Sequence, residues 1–118
     1  MAIDLNELTV REIWERIEKQ MNANPEPYAN LNAVYQFDLA GDDGGTYQLQ
    51  LENGAASTSE REKLEPSCTL QMKVSDFKKF LSGNMNSTAA FMMGRLKVKG
   101  NISLALKLDA LLGKYEFE

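Results

Sequence analysis

The sequence predicts an α+β fold: a five-stranded sheet covered on one face by helices, in the order α-β-β-β-β-α-α-β-α. Three observations carry that reading. An apolar stripe of helical period opens the chain, a period of two takes over from residue 33, and helix punctuation returns after residue 74. At 118 residues the chain reads as a single domain, 1–118, since domains cluster near ~100–150 residues. No repeat, low-complexity tract or long linker divides it.

The first element is an amphipathic helix. Val10, Ile13, Trp14, Ile17 and Met21 recur at i, i+3, i+4, i+7 and i+11, on one stripe. Thr9 and Glu12 have the spacing of a capping box and start it. Asn24-Pro25-Glu26-Pro27 ends it, because each proline disfavours helix in the residue before it. Ala33, Tyr35, Phe37 and Leu39 then alternate with Val34, Gln36 and Asp38, and Tyr47, Leu49 and Leu51 with Thr46, Gln48, Gln50 and Glu52, on either side of a Gly/Asp loop at 41–45. Asn53-Gly54 predicts a type I′ turn, whose two central positions need positive φ, and hence an antiparallel third strand near Ala55–Ser59.

A polar loop with Pro66 leads to a fourth strand, in which Cys68, Leu70, Met72 and Val74 alternate with Thr69, Gln71 and Lys73. A fifth is expected around Leu96 and Val98. Each strand has one apolar and one polar face, so the sheet should be solvated on one side and covered by helices on the other. Between these strands, Ser75 reads as an N-cap with Asp76 at the favourable end of the helix dipole, and Gly83 as the C′ residue. Ser87–Met93 has room for another turn or two, stopped by Gly94. Asn101 caps a final helix from Ile102 to Leu112, ended by Gly113.

Composition excludes several chemistries. There is no histidine and one cysteine, so no Ser-His-Asp or Cys-His centre, Cys/His zinc cluster or internal disulfide can be built. Asp38, Asp42, Asp43 and Asp76 are the carboxylates open to catalysis, and each reads more simply as strand surface, turn or helix start. No enzyme, catalytic residue, cofactor or metal is expected. Cys68 alternates with the inward set and reads as a buried, inert thiol. The first twenty residues carry charges and no apolar h-region, no run approaches the ~20 apolar residues that span a bilayer, and Tyr115-Glu116-Phe117-Glu118 is not a peroxisomal address. A cytoplasmic location is expected.

The net charge of −4 argues against nucleic acid as a partner, yet it is an average. From Phe77 to Leu108 the chain holds Lys78, Lys79, Arg95, Lys97, Lys99 and Lys107, and no Asp or Glu. The same stretch is over-supplied with apolar residues. In the final helix Leu104, Ala105, Leu108, Leu111 and Leu112 share one side, while Ile102, Leu106 and Ala110 form a second. A helix on a sheet needs one such stripe. The second must meet another part of the chain, a partner, a membrane or an apolar ligand. Phe77, Phe80, Leu81, Met85, Phe91, Met92 and Met93 precede it within seventeen residues. They fill a core or wall a cavity, and the two are compatible, since pocket walls are core residues that fail to meet in the middle.

These residues resemble a known family. Ala90-Phe91-Met92-Met93-Gly94-Arg95-Leu96-Lys97-Val98-Lys99-Gly100-Asn101, followed by Leu104-Ala105-Leu106-Lys107-Leu108, closely resembles the C-terminal signature of the sterol carrier protein type-2 family. Arg95 stands where lysine is more usual, and Val98 where isoleucine is. Cys68-Thr69-Leu70-Gln71-Met72, Asp76-Phe77 and Leu81-Ser82-Gly83-Asn84-Met85-Asn86 match the family's fourth strand and the helix after it.

The resemblance implies a lipid-sized apolar tunnel between the layers that binds or carries fatty acids, fatty acyl-CoA, sterols or phospholipids without chemistry. Its walls are expected at Phe77, Phe80, Leu81, Met85, Phe91, Met92, Ile102, Leu106 and Leu108, with the final helix as a lid. Arg95, Lys97, Lys99 and Lys107 are expected to favour an anionic head group, CoA phosphates or an acidic bilayer. The expected partners are a long-chain lipid and, transiently, an anionic membrane surface, with the chain a monomer or weak dimer. The alternative is an interaction or accessory module for an enzyme of lipid or quinone metabolism, docked through the two-faced helix.

Overall fold

The computed structural model describes residues 4–83 and 85–117; Asn84 of the matched Leu81–Asn86 stretch and Glu118 lie outside the described residues. In chain order it contains α1 (Val10–Ala23), β1 (Ala33–Ala40), β2 (Gly45–Glu52), β3 (Ala55–Glu60), β4 (Cys68–Lys73), α2 (Val74–Leu81), α3 (Ser87–Met92), β5 (Lys97–Gly100) and α4 (Ile102–Leu112), with 3₁₀ turns at Leu5–Glu7 and Glu26–Tyr28. The helix–strand order is the one the sequence predicts. The five strands lie in the order β3-β2-β1-β4-β5. β1 pairs antiparallel with β2 and parallel with β4, so the sheet is mixed.

The local signals act where they stand. Thr9 and Glu12 close a reciprocal capping box on α1, and Asn24 ends it. Asn53 and Gly54 hold φ of +52° and +76° in the β2–β3 turn. Asn101 accepts from the Leu104 N–H to cap α4, and Gly113 is its C-cap. The start of α2 differs. The helix begins at Val74 behind an N-cap Lys73 that makes no side-chain capping bond, and Ser75 is its second residue. Val74 is buried from the first turn, so the helix claims it and the strand ends at Lys73. β5 likewise starts at Lys97, one residue past Leu96.

The core lies between the inner sheet face and the helices. Tyr35 faces Leu49 and Cys68, and Phe37 faces Tyr47 and Leu70, across neighbouring strands. Trp14 of α1 packs over them, edge-on to Phe37 at 5.0 Å and stacked on Tyr47 at 5.7 Å and Phe77 at 5.3 Å. The Trp14 Nε1–H has no hydrogen-bond partner among the described residues. Side chains of α1 also close the sheet edge. The Asn22 amide donates to the Ala56 carbonyl at 2.8 Å and accepts from the Ala56 N–H at 2.9 Å, while Glu18 accepts from the Thr58 N–H at 2.8 Å. These are groups that an edge strand otherwise offers to another chain.

The outer face is less solvated than alternation suggests. Gln36, Gln48 and Thr69 are buried there. The loop after β3 folds across it, and Gln48 accepts from the Lys63 and Leu64 N–H groups while donating to the Leu64 carbonyl at 2.7 Å. A polar loop can cover a polar face when one amide side chain satisfies its backbone. Among the described residues no helix is long and apolar enough to cross a membrane.

Candidate functional site

The nine apolar positions expected to wall a tunnel divide into three groups. Phe77 of α2 and Leu108 of α4 are fully buried in the core. Phe80, Leu81 and half-buried Met85 line a cleft of about 500 Å³ with Leu112, Tyr115 and Phe117, and Ser82, Gly83, Asp109, Gly113 and Glu116 complete its rim. This volume is within the roughly 300–1,000 Å³ of ligand sites. Phe91, Met92, Ile102 and Leu106 are exposed instead. α4 turns its Ala105–Leu108–Leu111–Leu112 side to the sheet and leaves the second stripe outward.

The wall that sequence reasoning missed is the C-terminal strap. Phe117 is buried and stacks on Tyr115 at 5.8 Å between ring centroids. The Arg16 guanidinium donates to the Phe117 carbonyl, and the Tyr115 hydroxyl to the Asn24 carbonyl at 2.5 Å. Its signal was present: Tyr115 and Phe117 alternate with charged residues after the Gly113 stop, as a short extended segment does.

α4 is tied down at two points. The Tyr35 hydroxyl, from the centre of the inner sheet face, donates to the Leu104 carbonyl at 2.9 Å, and the Ser87 hydroxyl donates to Asp109 at 2.8 Å. Burial, with the Cys68 thiol adding to it, pushes the Tyr35 phenol up to about 12. Burial likewise moves Tyr115 to about 12. Both stay neutral donors in the folded state, whereas an unfolded tyrosine ionises near pH 10. The native state therefore holds more protons between those values, and stability present below pH 10 is lost as pH rises toward 12. Thermal melts from pH 9 to 12 should show Tm falling across that window, and Tyr35→Phe should flatten the fall; a flat wild-type profile would contradict it.

The basic set also divides. Arg95 and Lys97 line a cleft of about 730 Å³ at the start of α2, together with Lys73, Asp38 and Asp76. Lys73, which the sequence marks only as a polar strand position, ends β4 on the same outer sheet face as Gln71, the cross-strand partner of Lys97. Lys99 is exposed two residues along β5 on that face, while Lys107 lies apart on α4. Arg95 is held by the buried Asp76 carboxylate at 2.5 Å, and that hydrogen bond, more than the charge alone, raises its pKa.

The four carboxylates considered for catalysis have structural partners or lie in a turn. Asp38 accepts from Gln36, Thr46 and Gln71, and Asp43 from the Val10 N–H at 2.7 Å. Asp76 pairs with Arg95, and Asp42 lies exposed in the β1–β2 loop. Among the described residues no three His, Cys, Asp or Glu side chains form a metal-holding group. Cys68 is buried, and burial raises its thiol pKa, which disfavours the reactive thiolate.

Comparison with known proteins gives the family and the fold. A model of the SCP-2 sterol transfer family matches residues 14–113. The chain is 44% identical over 81 residues to hydroxysteroid dehydrogenase-like protein 2 of Mus musculus, a match covering 68% of this chain and 16% of that protein. The chain thus spans about a sixth of that curated relative's length. The solution structure of the sterol carrier protein domain 2 of Helicoverpa armigera superposes with a TM-score of 0.72 at 22% identity, covering 97% of this chain and 93% of that one. Palmitated SCP2L2 from Aedes aegypti gives a TM-score of 0.69 at 21% identity, covering 89% and 95%. At these identities the structural matches speak for the fold.

Proposed function

The chain belongs to the SCP-2 sterol transfer family, and from that membership we propose that residues 1–118 bind a long-chain lipid as one unit and carry it between sites in the cytoplasm without chemistry. Fatty acids and fatty acyl-CoA are the first candidates, with sterols and phospholipids behind them. The observation that carries this reading is the cleft between the end of α2, the end of α4 and the C-terminal strap, where Phe80, Leu81, Met85, Leu112, Tyr115 and Phe117 meet under a polar rim that includes Asp109 and Glu116. The acyl chain supplies the affinity: about ten buried methylenes contribute roughly 8 kcal/mol before the costs of ordering. That term is indifferent to the head group, so tolerance among long chains is expected.

In this reading α4 is the lid, held by Tyr35 and Ser87. With the lid displaced, the tail extends from the cleft past Phe77 and Leu108, and Phe91, Met92, Ile102 and Leu106 close around it. Arg95, Lys97, Lys99 and Lys107 attract an anionic head group. Displacement of a fluorescent fatty acid tests the assignment in Phe91→Asp and Leu106→Glu. Both side chains are exposed, so both variants should fold. Each should weaken binding by about tenfold or more, since a charge replaces apolar contact. Unchanged affinity in both folded variants would sink the assignment of these walls.

A second reading is favoured by the share of the relative that the chain covers. Where the domain belongs to a longer chain, as it does in hydroxysteroid dehydrogenase-like protein 2, it would present its lipid to a neighbouring enzyme.

A further inference from the structure

The two edges of the sheet are finished differently. At β3 the backbone groups of Ala56 and Thr58 are taken up by Asn22 and Glu18 of α1. β5 forms the other edge, with β4 as its one neighbour. The Asn101 N–H donates to the Ser67 carbonyl at 3.2 Å, beside the Gly100–Cys68 pair, and Lys99 and Lys97 lie opposite Thr69 and Gln71. Bonded and non-bonded pairs alternate along an antiparallel ladder. Lys99 and Lys97 therefore turn their backbone groups to β4, while Val98 and Gly100 turn theirs outward. Among the described residues no loop bonds to those outward groups. Such an edge is a template for another strand.

Its side chains select what can pair there. Lys97 and Lys99 are exposed on the outer sheet face, and half-buried Val98 lies between them on the inner face. The ion pairs among the described residues are Arg11–Glu60 and Arg95–Asp76, so neither lysine is neutralised by one. Lys73 adds a further positive charge at the end of β4. Asp38, the acid on the same face of β1, is engaged by Gln36, Thr46 and Gln71. A second β5 would set lysine against lysine, and like charges directly opposite are destabilising. An acidic strand reverses the sign. Its carboxylates, at alternate positions, lie beside Lys97 and Lys99, and an apolar residue between them lies beside Val98.

We infer that the open β5 edge binds an extended acidic segment of a partner protein, in which carboxylates alternate with apolar residues, as a further strand of the sheet. Main-chain bonds to Val98 and Gly100 supply the affinity and the lysines the selectivity. The test is fluorescence anisotropy with a labelled peptide alternating glutamate with valine. No lipid is present, so failure here leaves the carrier reading untouched. Two isomers of the peptide carry the same charge, one N-methylated on its valines and the other on its glutamates. In antiparallel addition the amides turned to β5 are those of the valines; in parallel addition they are those of the glutamates. One isomer should therefore bind about tenfold or more weaker than the other. Peptide binding should also slow hydrogen exchange at the Val98 and Gly100 amides about tenfold or more. The double variant Lys97→Glu/Lys99→Glu, altered at two exposed positions, should lose the glutamate peptide and bind a lysine–valine peptide instead.

No binding of the glutamate peptide, equal binding of the two isomers, or equal binding of glutamate and lysine peptides by the wild type would overturn the inference. So would a dimer of the chain that Lys99→Glu dissolves, since the edge would then belong to a second copy.

Discussion

Phe77→Ala should cost about 3–5 kcal/mol of folding stability, against a total of roughly 5–15 kcal/mol for a domain of this kind. Phe77 is fully buried at the junction of helix and sheet, with Trp14 stacked at 5.3 Å on one side and Phe37 edge-on at 5.7 Å. Removing the ring opens a cavity between three elements that cannot all move inward, because Trp14 is also stacked on Tyr47. The urea midpoint should fall with little change in slope. The single tryptophan reports the same site, so its emission should change even in the folded variant. A loss below about 1 kcal/mol would mean that this aromatic cluster is not the centre of the core.

Gly100→Ala should be the most damaging of the glycine substitutions outside the β1–β2 loop. Gly100 ends β5 opposite Cys68 with φ +87°, and an added Cβ would lie 2.8 Å from the Ser67 carbonyl oxygen. The same carbonyl accepts from the Asn101 N–H at 3.2 Å, immediately before Asn101 caps α4. The clash therefore forces either the edge strand or the cap of the lid helix to shift. Gly83→Ala is the matched control: φ is +79°, with nothing within 4 Å of the new atom. It should cost only the left-handed penalty of roughly 1–2 kcal/mol. Gly100→Ala should exceed it by about 1 kcal/mol or more in chemical denaturation. Equal losses would show that conformation alone, not the close approach to Ser67, fixes glycine here.

The contrast between these sites shows what one sequence can disclose. Caps, the Asn53-Gly54 turn and the helix stops were legible because each is a local contest among a few backbone groups. The start of α2 was misplaced because Val74 fits an inward strand position and a buried helix position equally well; the contact it makes decides between them. Parallel pairing of β1 with β4 was not legible, since it joins residues more than thirty apart that no single turn connects. Nor was the burial of Gln36 and Gln48, which depends on a loop returning across the sheet.

The site was legible by composition and less so by placement. The surplus of apolar residues between Phe77 and Leu112 announces more hydrophobic surface than one interface requires. Periodicity cannot say which of two stripes on α4 faces the sheet. The structure turns the Leu108 stripe inward and leaves Ile102 and Leu106 outward. The Tyr115/Phe117 alternation is too short, at two apolar positions, to tell a strap packed on the core from a solvated end.

The lipid-carrier account is tested most directly by native mass spectrometry of the folded chain with palmitate. The account predicts a one-to-one adduct that a competing long-chain fatty acid displaces and that octanoate, with about half the methylenes to bury, does not. A folded chain that forms no adduct with any long-chain fatty acid, acyl-CoA, sterol or phospholipid would contradict it.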